Sequence, residues 1–141
     1  MTAISDDTRC PCGTGEVFGA CCGPFITGRS NAPTAEALMR SRFTAFAVAE
    51  PEYLLASWHP RTRPASLELD ESILWQRLDV LRTSGGPFDD AARVAFAAHY
   101  RSEPGTPEHR RVKGVQREDS RFVRENGRWY YVDGEPLTPS R

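Results

Sequence analysis

All four cysteines of this 141-residue chain lie within thirteen residues near its amino terminus. They form two close pairs, Cys10 with Cys12 and Cys21 with Cys22. Four thiolates can surround one Zn²⁺ ion tetrahedrally at about 2.3 Å. The intervening Gly13 and Gly15 can adopt a positive φ, which lets the chain fold back around an ion. The sequence therefore predicts a zinc knuckle over residues 10–24.

Two other states of these cysteines stay open, disulfide bonds and free reduced thiols. A disulfide within either close pair would be strained, because the two residues of each pair are adjacent or nearly so, and bridges would have to run between the pairs. A catalytic zinc ion is not expected, since four cysteines close the coordination shell and leave no position for water. The pattern favours a structural zinc ion as the cofactor.

Composition and charge narrow the class of protein. Hydrophobic residues make up 39% of the chain and aromatic residues 10%, which is enough for a core and excludes wholesale disorder. The formal net charge of -1 argues against attraction of the whole protein to nucleic acid or membrane. No apolar run approaches the roughly 20 residues that cross a bilayer, and residues 1–7 lack a signal-peptide core. Together with clustered thiols, these features predict a cytoplasmic protein.

Local sequence patterns divide the rest of the chain into segments. A disordered lead is predicted over residues 1–9, a linker rich in turn formers over 25–33, the main domain over 34–136 and a tail over 137–141. Two helices open the main domain. The first begins at Thr34, a good N-cap residue, and the second covers about residues 51–58.

The pattern changes towards a period of two after Pro64, first at Leu67 and Leu69. Alternation then predicts strands over residues 74–83, 92–101, 110–118, 121–125 and 128–132. Asn126-Gly127, between the last two, is the strongest short hairpin signal. Helices followed by antiparallel strands predict an α+β domain with the helices on one face of a curved sheet.

Several stretches resemble known families. Residues 10–24 look like the SEC-C motif, the zinc knuckle also found at the C-terminus of the SecA translocase. Residues 35–43, 58–64 and 120–134 resemble the bacterial YchJ-like family, whose members place a SEC-C motif before a nuclear-transport-factor-two-like (cystatin-like) domain. This resemblance implies a cone-shaped domain of helices packed on a bent antiparallel sheet, and zinc ligation by the four cysteines. It implies no reaction.

The cone fold also implies a pocket between helices and sheet. The candidate lining residues are Arg42, Tyr53, Trp58, His59, Trp75, His99 and Tyr100. Either histidine could serve acid–base chemistry. No nucleophile motif accompanies them, and the cysteines are committed to the metal, so no catalytic residue is assigned and the protein is not expected to be an enzyme.

The C-terminal hairpin carries a basic, aromatic pattern. Residues 108–128 contain seven basic and four acidic residues. The basic ones are Arg110, Arg111, Lys113, Arg117, Arg121, Arg124 and Arg128. Arginines interleaved with aromatic side chains can grip single-stranded nucleic acid by charge and stacking. The alternative is a strand with a solvated charged face and an aromatic core face.

Three functions follow. The favoured one is a non-enzymatic zinc-binding protein whose knuckle and cone domain form a module that binds a protein partner. The second is an RNA-associated or nucleic-acid-associated factor that uses the basic hairpin. The third is a cone domain that binds or hydrolyses a small molecule. No membrane partner is expected.

Overall fold

The computed structural model describes residues 4–86 and 88–137. Four strands form one antiparallel sheet in chain order: β1 (Ile73–Ser84), β2 (Ala91–Ser102), β3 (Lys113–Glu125) and β4 (Arg128–Pro136). The helices are α1 (Gly23–Ile26), α2 (Ala35–Ala47) and α3 (Pro51–Ala56), with 3₁₀ turns at Phe18–Ala20 and Glu108–Arg110. Helix α2 lies across one face of the sheet, in contact with β1, β2 and β4. The predicted α+β class is confirmed.

The hairpin prediction is confirmed in detail. Asn126 and Gly127 have φ angles of 54° and 76°, the pair of positive values that a two-residue turn requires. The strands that this turn joins are longer than predicted. Residues 113–125 form one strand rather than two, because Ser120 pairs with β2 on one side and with β4 on the other. Residues 110–112 lie before that strand, and Arg110 belongs to a 3₁₀ turn.

The second helix ends two residues earlier than predicted. After Ala56 the chain leaves the helix and pairs with β4: Trp58 forms a parallel bridge with Tyr131, and the His59 N–H donates to the Tyr131 carbonyl at 2.7 Å. This pairing explains the early end of the helix, since it requires extended backbone. The period of two at Leu67 and Leu69 corresponds to no strand, and residues 63–70 contain neither helix nor strand.

The predicted disordered lead is wrong for residues 6–9. The Phe18 N–H donates to the Thr8 carbonyl at 2.7 Å, and the Gly19 N–H donates to the Asp6 carbonyl at 2.9 Å. Arg9 forms an antiparallel bridge with Val17. This segment is therefore part of the knuckle, because its backbone groups find partners there. Residues 1–3 of the lead and 138–141 of the tail lie outside the described residues.

Helix α2 is buried on two sides. Leu38, Met39 and Phe43 belong to the main core cluster, together with strand residues such as Phe122 and Trp129. On the same helix Thr44 has no exposed surface, and it contacts the cysteine cluster instead of the core. Among the described residues, the helix therefore belongs to the main apolar cluster and also contacts the cysteine cluster.

Replacement of Thr34 by alanine should lower the free energy of unfolding by about 1 kcal/mol. The Thr34 Oγ1 accepts a hydrogen bond from the Ala37 N–H at 3.0 Å, which satisfies one of the free amides of the first turn of α2. Urea denaturation measures the change. Thr34→Ser keeps the acceptor and should stay within a few tenths of a kcal/mol of the native chain. Equal loss in both variants would show that the methyl group matters and the cap does not.

Candidate functional site

The four thiol groups meet at one point. The sulfur atoms of Cys10, Cys12, Cys21 and Cys22 all lie within 4.8 Å of one another. The Cys12 and Cys21 sulfurs are 3.5 Å apart, and the Cys21 and Cys22 sulfurs are 4.0 Å apart. Tetrahedral coordination at 2.3 Å places ligand sulfurs about 3.8 Å apart. The cluster can therefore hold a metal ion without rearrangement of the backbone.

No disulfide joins the four cysteines. Hydrogen bonds from the Cys12 and Cys22 thiols lower the pKa of Cys10. Burial raises the pKa of Cys21 to about 11. The hydrogen bond between Cys22 and Cys10 raises the pKa of Cys22. The thiolate form of Cys10 is thus stabilised by its neighbours. A metal cation that binds all four sulfurs displaces the thiol protons.

The backbone between the cysteine pairs turns as the glycines predict. Gly13 and Gly15 have φ angles of 87° and 93°. These left-handed residues bring the Glu16 carbonyl back to the Cys10 N–H, which donates to it at 2.8 Å. Phe18, only 6% exposed, packs against the cysteines with Ile4 and Ile26, so the thiols are shielded by apolar side chains.

Two threonine hydroxyls complete the surroundings of the sulfurs. Thr14, inside the knuckle, places its Oγ1 3.1 Å from the Cys21 sulfur. Thr44 comes from α2 in the main domain, and its Oγ1 lies 3.6 Å from the Cys10 sulfur and 3.4 Å from the Cys22 sulfur. The guanidinium of Arg40, also on α2, donates to the Cys12 carbonyl at 2.9 Å. The main domain therefore supplies part of the candidate metal site, which sequence reasoning did not find.

A second site lies between α2 and the sheet. It is a cavity of about 300 Å³, with Phe43 and Phe46 of α2 facing Trp75 of β1. The ring centroid of Trp75 is 6.3 Å from that of Phe43 and 6.2 Å from that of Phe46. The other lining residues are Met39, Arg42, Trp58, Phe96, Ala98, Gln116, Glu118 and Tyr131. The aromatic side chains line this space and do not fill it.

Arg42 is the buried charge of the cavity, with 3% of its surface exposed. Its Nη1 donates to the Leu54 carbonyl at 2.8 Å and to the Ser57 hydroxyl at 2.7 Å. Its Cζ lies 4.3 Å from the centre of the Tyr131 ring and 5.1 Å from that of Trp58. Burial lowers the pKa of Arg42 to about 10, so the side chain still carries a positive charge at neutral pH.

The structure brings three of the seven predicted pocket residues together, Arg42, Trp58 and Trp75. The two histidines lie elsewhere. The His59 Nε2 contacts the Glu125 carboxylate at 2.9 Å, and its Nδ1 accepts from the Arg61 N–H. The His99 Nε2 contacts the Asp79 carboxylate at 2.9 Å. Because side chains alternate along a strand, Ala98 faces the cavity and His99 faces away from it.

The two predicted tyrosines also lie outside the cavity. Tyr53 forms a hydrogen bond of 2.6 Å with the Ser41 hydroxyl, and it lines a groove beside α1. Tyr100 packs against Trp75 further along the sheet and lies over Gly114, whose missing side chain makes room for it. Sequence reasoning missed Glu118 and Tyr131, two of the strand residues that line the cavity.

The basic hairpin matches the pattern of a charged face and a core face. Of its aromatic residues, Phe122 and Trp129 are 1% and 2% exposed, so they cannot stack on bases. On the opposite face of the sheet, the Arg121 Nε donates to Asp133 at 2.6 Å, while Arg93 and Arg82 contact Asp119. Arg124 is bound to the Phe88 carbonyl and the Asp90 carboxylate. Arg110 and Arg111 lie at or next to the 3₁₀ turn before β3.

The remaining basic candidates lie along β3 and at the start of β4. Lys113 and Arg117 are exposed residues of β3, and Arg128 packs over the ring of Tyr130. The structure therefore separates most of the charges from the aromatic rings that a stacking surface would need. Within residues 4–86 and 88–137, no helix has the length and apolar character that a bilayer crossing requires.

Comparison with known proteins identifies both parts of the chain. The family model described as "YchJ, middle NTF2-like domain" matches residues 34–134, and the SEC-C motif model matches residues 8–24. The UPF0225 protein CE1570 of Corynebacterium efficiens is 52% identical over 130 residues, which are 92% of this chain and 94% of that protein.

Two solved structures match most of this chain. One is the solution structure of RPA3114, a SEC-C motif containing protein from Rhodopseudomonas palustris, with a TM-score of 0.76, 30% identity, and coverage of 92% of this chain and 99% of that one. The other is the crystal structure of a SEC-C motif containing protein from Psychrobacter arcticus, with a TM-score of 0.71, 25% identity, and coverage of 96% and 86%. The chain therefore belongs to the YchJ family of UPF0225 proteins, with a SEC-C motif joined to an NTF2-like domain.

Proposed function

We propose that this protein is a non-enzymatic zinc-binding protein in which the metal fixes the knuckle to the cone domain, and that the two units together bind a protein partner. The observation that carries the proposal is the position of Thr44. This residue belongs to the main helix of the cone domain, yet its hydroxyl contacts two of the four cysteine sulfurs. Metal binding and the attachment of the knuckle to the cone are therefore one event.

The donor set favours zinc among the common metals. Four thiolates in a tetrahedral arrangement suit Zn²⁺ or iron–sulfur chemistry, whereas calcium and magnesium require oxygen ligands. A site closed by four cysteines supplies folding energy rather than a reactive water molecule. In addition, the described cavity residues include no nucleophile paired with a base, and both predicted histidines lie outside the cavity.

The seam between the two units offers a surface for a partner. A groove of about 280 Å³ runs between the segment from α1 to residue 32 and the main domain, where Glu52, Tyr53 and Arg128 line it. The charged side chains of Glu52 and Arg128 and the polar residues of the linker segment give the groove a polar character that suits a peptide or a loop of another protein. The groove begins at α1, which directly follows the last two cysteines, so loss of the metal should disturb the groove and weaken partner binding.

Affinity capture from a lysate of the native host, with four forms of the protein, tests the proposal. The native chain and Glu108→Arg, a charge reversal on the distant 3₁₀ turn, should capture the same protein. Glu52→Arg, which reverses the charge in the groove, and Cys21→Ser/Cys22→Ser, which breaks the metal site, should both lose it. Capture of one unchanged set of proteins by all four forms would contradict the proposal.

A nucleic-acid partner remains a prediction with less support. Arg121 and Arg124 of β3 form ion pairs, and Phe122 and Trp129 are buried in the core. A titration of labelled RNA at increasing salt separates the two functions, because phosphate contacts produce a steep loss of affinity with salt.

A further inference from the structure

The protein satisfies only part of the hydrogen-bonding capacity of the Arg42 guanidinium. Both of its hydrogen bonds come from Nη1. Among the described residues, neither Nε nor Nη2 has a hydrogen-bond partner, and no carboxylate lies within 4.0 Å of the group. In the described part of the chain, the fully buried side-chain nitrogens without a hydrogen-bond partner are the indole nitrogens of Trp58 and Trp129. Nε and Nη2 of Arg42 are not among them, so both keep some accessible surface. Because Arg42 lines the cavity, the three charged N–H groups on these two nitrogens are available to a molecule bound there.

Glu118 supplies the opposite charge in the same cavity. Its Oε2 accepts a hydrogen bond from the buried Ser120 hydroxyl at 2.7 Å. The Glu118 side chain lies over Gly134 of the neighbouring strand, where a Cβ would collide with it. The carboxylate is thus held in position by a serine and a glycine, while it forms no ion pair with Arg42 within the described part of the chain.

We propose that the cone cavity binds a small planar molecule that accepts hydrogen bonds from Arg42 and donates one to Glu118. The body of the molecule lies among the rings of Phe43, Phe46 and Trp75. Its polar edge combines a carbonyl oxygen with an N–H group, as in an aromatic amide or a lactam heterocycle. A volume of about 300 Å³ holds a molecule of one or two rings.

The two charges determine which ligands are excluded. A carboxylate would satisfy Arg42 but would face the carboxylate of Glu118, and like charges at close range are repelled. An amidinium ion would satisfy Glu118 but would leave the donors of Arg42 unpaired. An amide meets both requirements and is electrically neutral. The affinities of three molecules of the same shape for the cavity should therefore differ only because of the hydrogen-bonding groups at their polar edge.

Benzamide, benzoate and benzamidine are the probes, and nuclear magnetic resonance titration of the ¹⁵N-labelled native protein is the measurement. Saturating benzamide should shift the Nε–H signal of Arg42 and the indole signal of Trp75. Benzoate and benzamidine should bind about tenfold more weakly, the factor expected for one unpaired or repelled group. Failure of benzamide to shift these signals, or equal affinity of all three probes, would overturn the proposal.

Three variants make the test specific. Glu118→Gln removes the repelling charge, so benzoate should gain at least tenfold relative to benzamide. Glu135→Gln removes the same charge from an exposed position of β4, and it should leave the order of the probes unchanged. Ala98→Leu fills the cavity and should abolish all three interactions, while the folded spectrum is kept. An unchanged order in Glu118→Gln, or binding retained in Ala98→Leu, would contradict the assignment of the site.

Discussion

Replacement of Cys21 and Cys22 by serine should abolish zinc binding and strongly lower the unfolding temperature of the chain. The sulfurs of these residues belong to a cluster with separations that suit tetrahedral coordination. A structural zinc site contributes on the order of 10–16 kcal/mol of apparent binding free energy in zinc-finger peptides. Elemental analysis of protein purified without chelator, and thermal unfolding followed by circular dichroism, measure both effects.

The native chain should contain one zinc ion, and the variant none. The native chain treated with a strong chelator is the matched control and should behave like the variant. Native protein that contains no metal and four titratable thiols would contradict the zinc assignment. A different metal in the native chain would keep the site but change its chemistry.

The cone domain should stay folded after metal removal, but with a lower stability. The main core cluster, which includes Phe122 and Trp129, does not contain the cysteines. The cone should therefore keep its sheet signal without metal. The unfolding temperature of the cone should fall, however, because the knuckle would no longer cover Thr44 and this residue would be exposed on α2. Loss of all structure in a single transition on chelation would show instead that knuckle and cone are one folding unit.

Thr44→Val should weaken zinc binding by about 10- to 100-fold, the usual loss when a partner of a metal ligand is removed. Valine has the shape of threonine but lacks the hydroxyl that contacts the sulfurs of Cys10 and Cys22. A hydrogen bond to a thiolate stabilises the charged form that the metal requires. Competition with a chromogenic chelator measures the affinity.

Thr44→Ser is the matched control for this change. It keeps the hydroxyl and loses a methyl group, so its zinc affinity should stay close to that of the native chain, while its stability falls slightly. Zinc affinity in Thr44→Val equal to that of the native protein would show that Thr44 only fills space between α2 and the knuckle.

Much of the fold could be predicted because its signals are local. The knuckle follows from four cysteines and two glycines within a few residues, and α2 follows from a cap at Thr34. The hairpin follows from Asn126-Gly127. Each of these depends on neighbours along the chain, whose geometry is limited by a small set of backbone conformations.

The composition of the sites could not be predicted, since it depends on contacts between distant segments. Thr44 lies 34 residues from Cys10, and His59 lies 66 residues from Glu125. Even so, one error was avoidable. His99 and Tyr100 are adjacent on a strand and point to opposite faces, so they could not both line one pocket.

The position of α2 between two sites has a thermodynamic consequence. Thr44 of this helix contacts the cysteine cluster, while Arg42 and Phe43 line the cone cavity. A change in the position of α2 relative to the sheet and the knuckle therefore alters both sites together. By linkage, any cavity ligand that favours the metal-bound position of α2 must tighten metal binding by the same factor by which the metal tightens the ligand. If this protein binds both zinc and a small molecule, helix α2 therefore couples the two affinities.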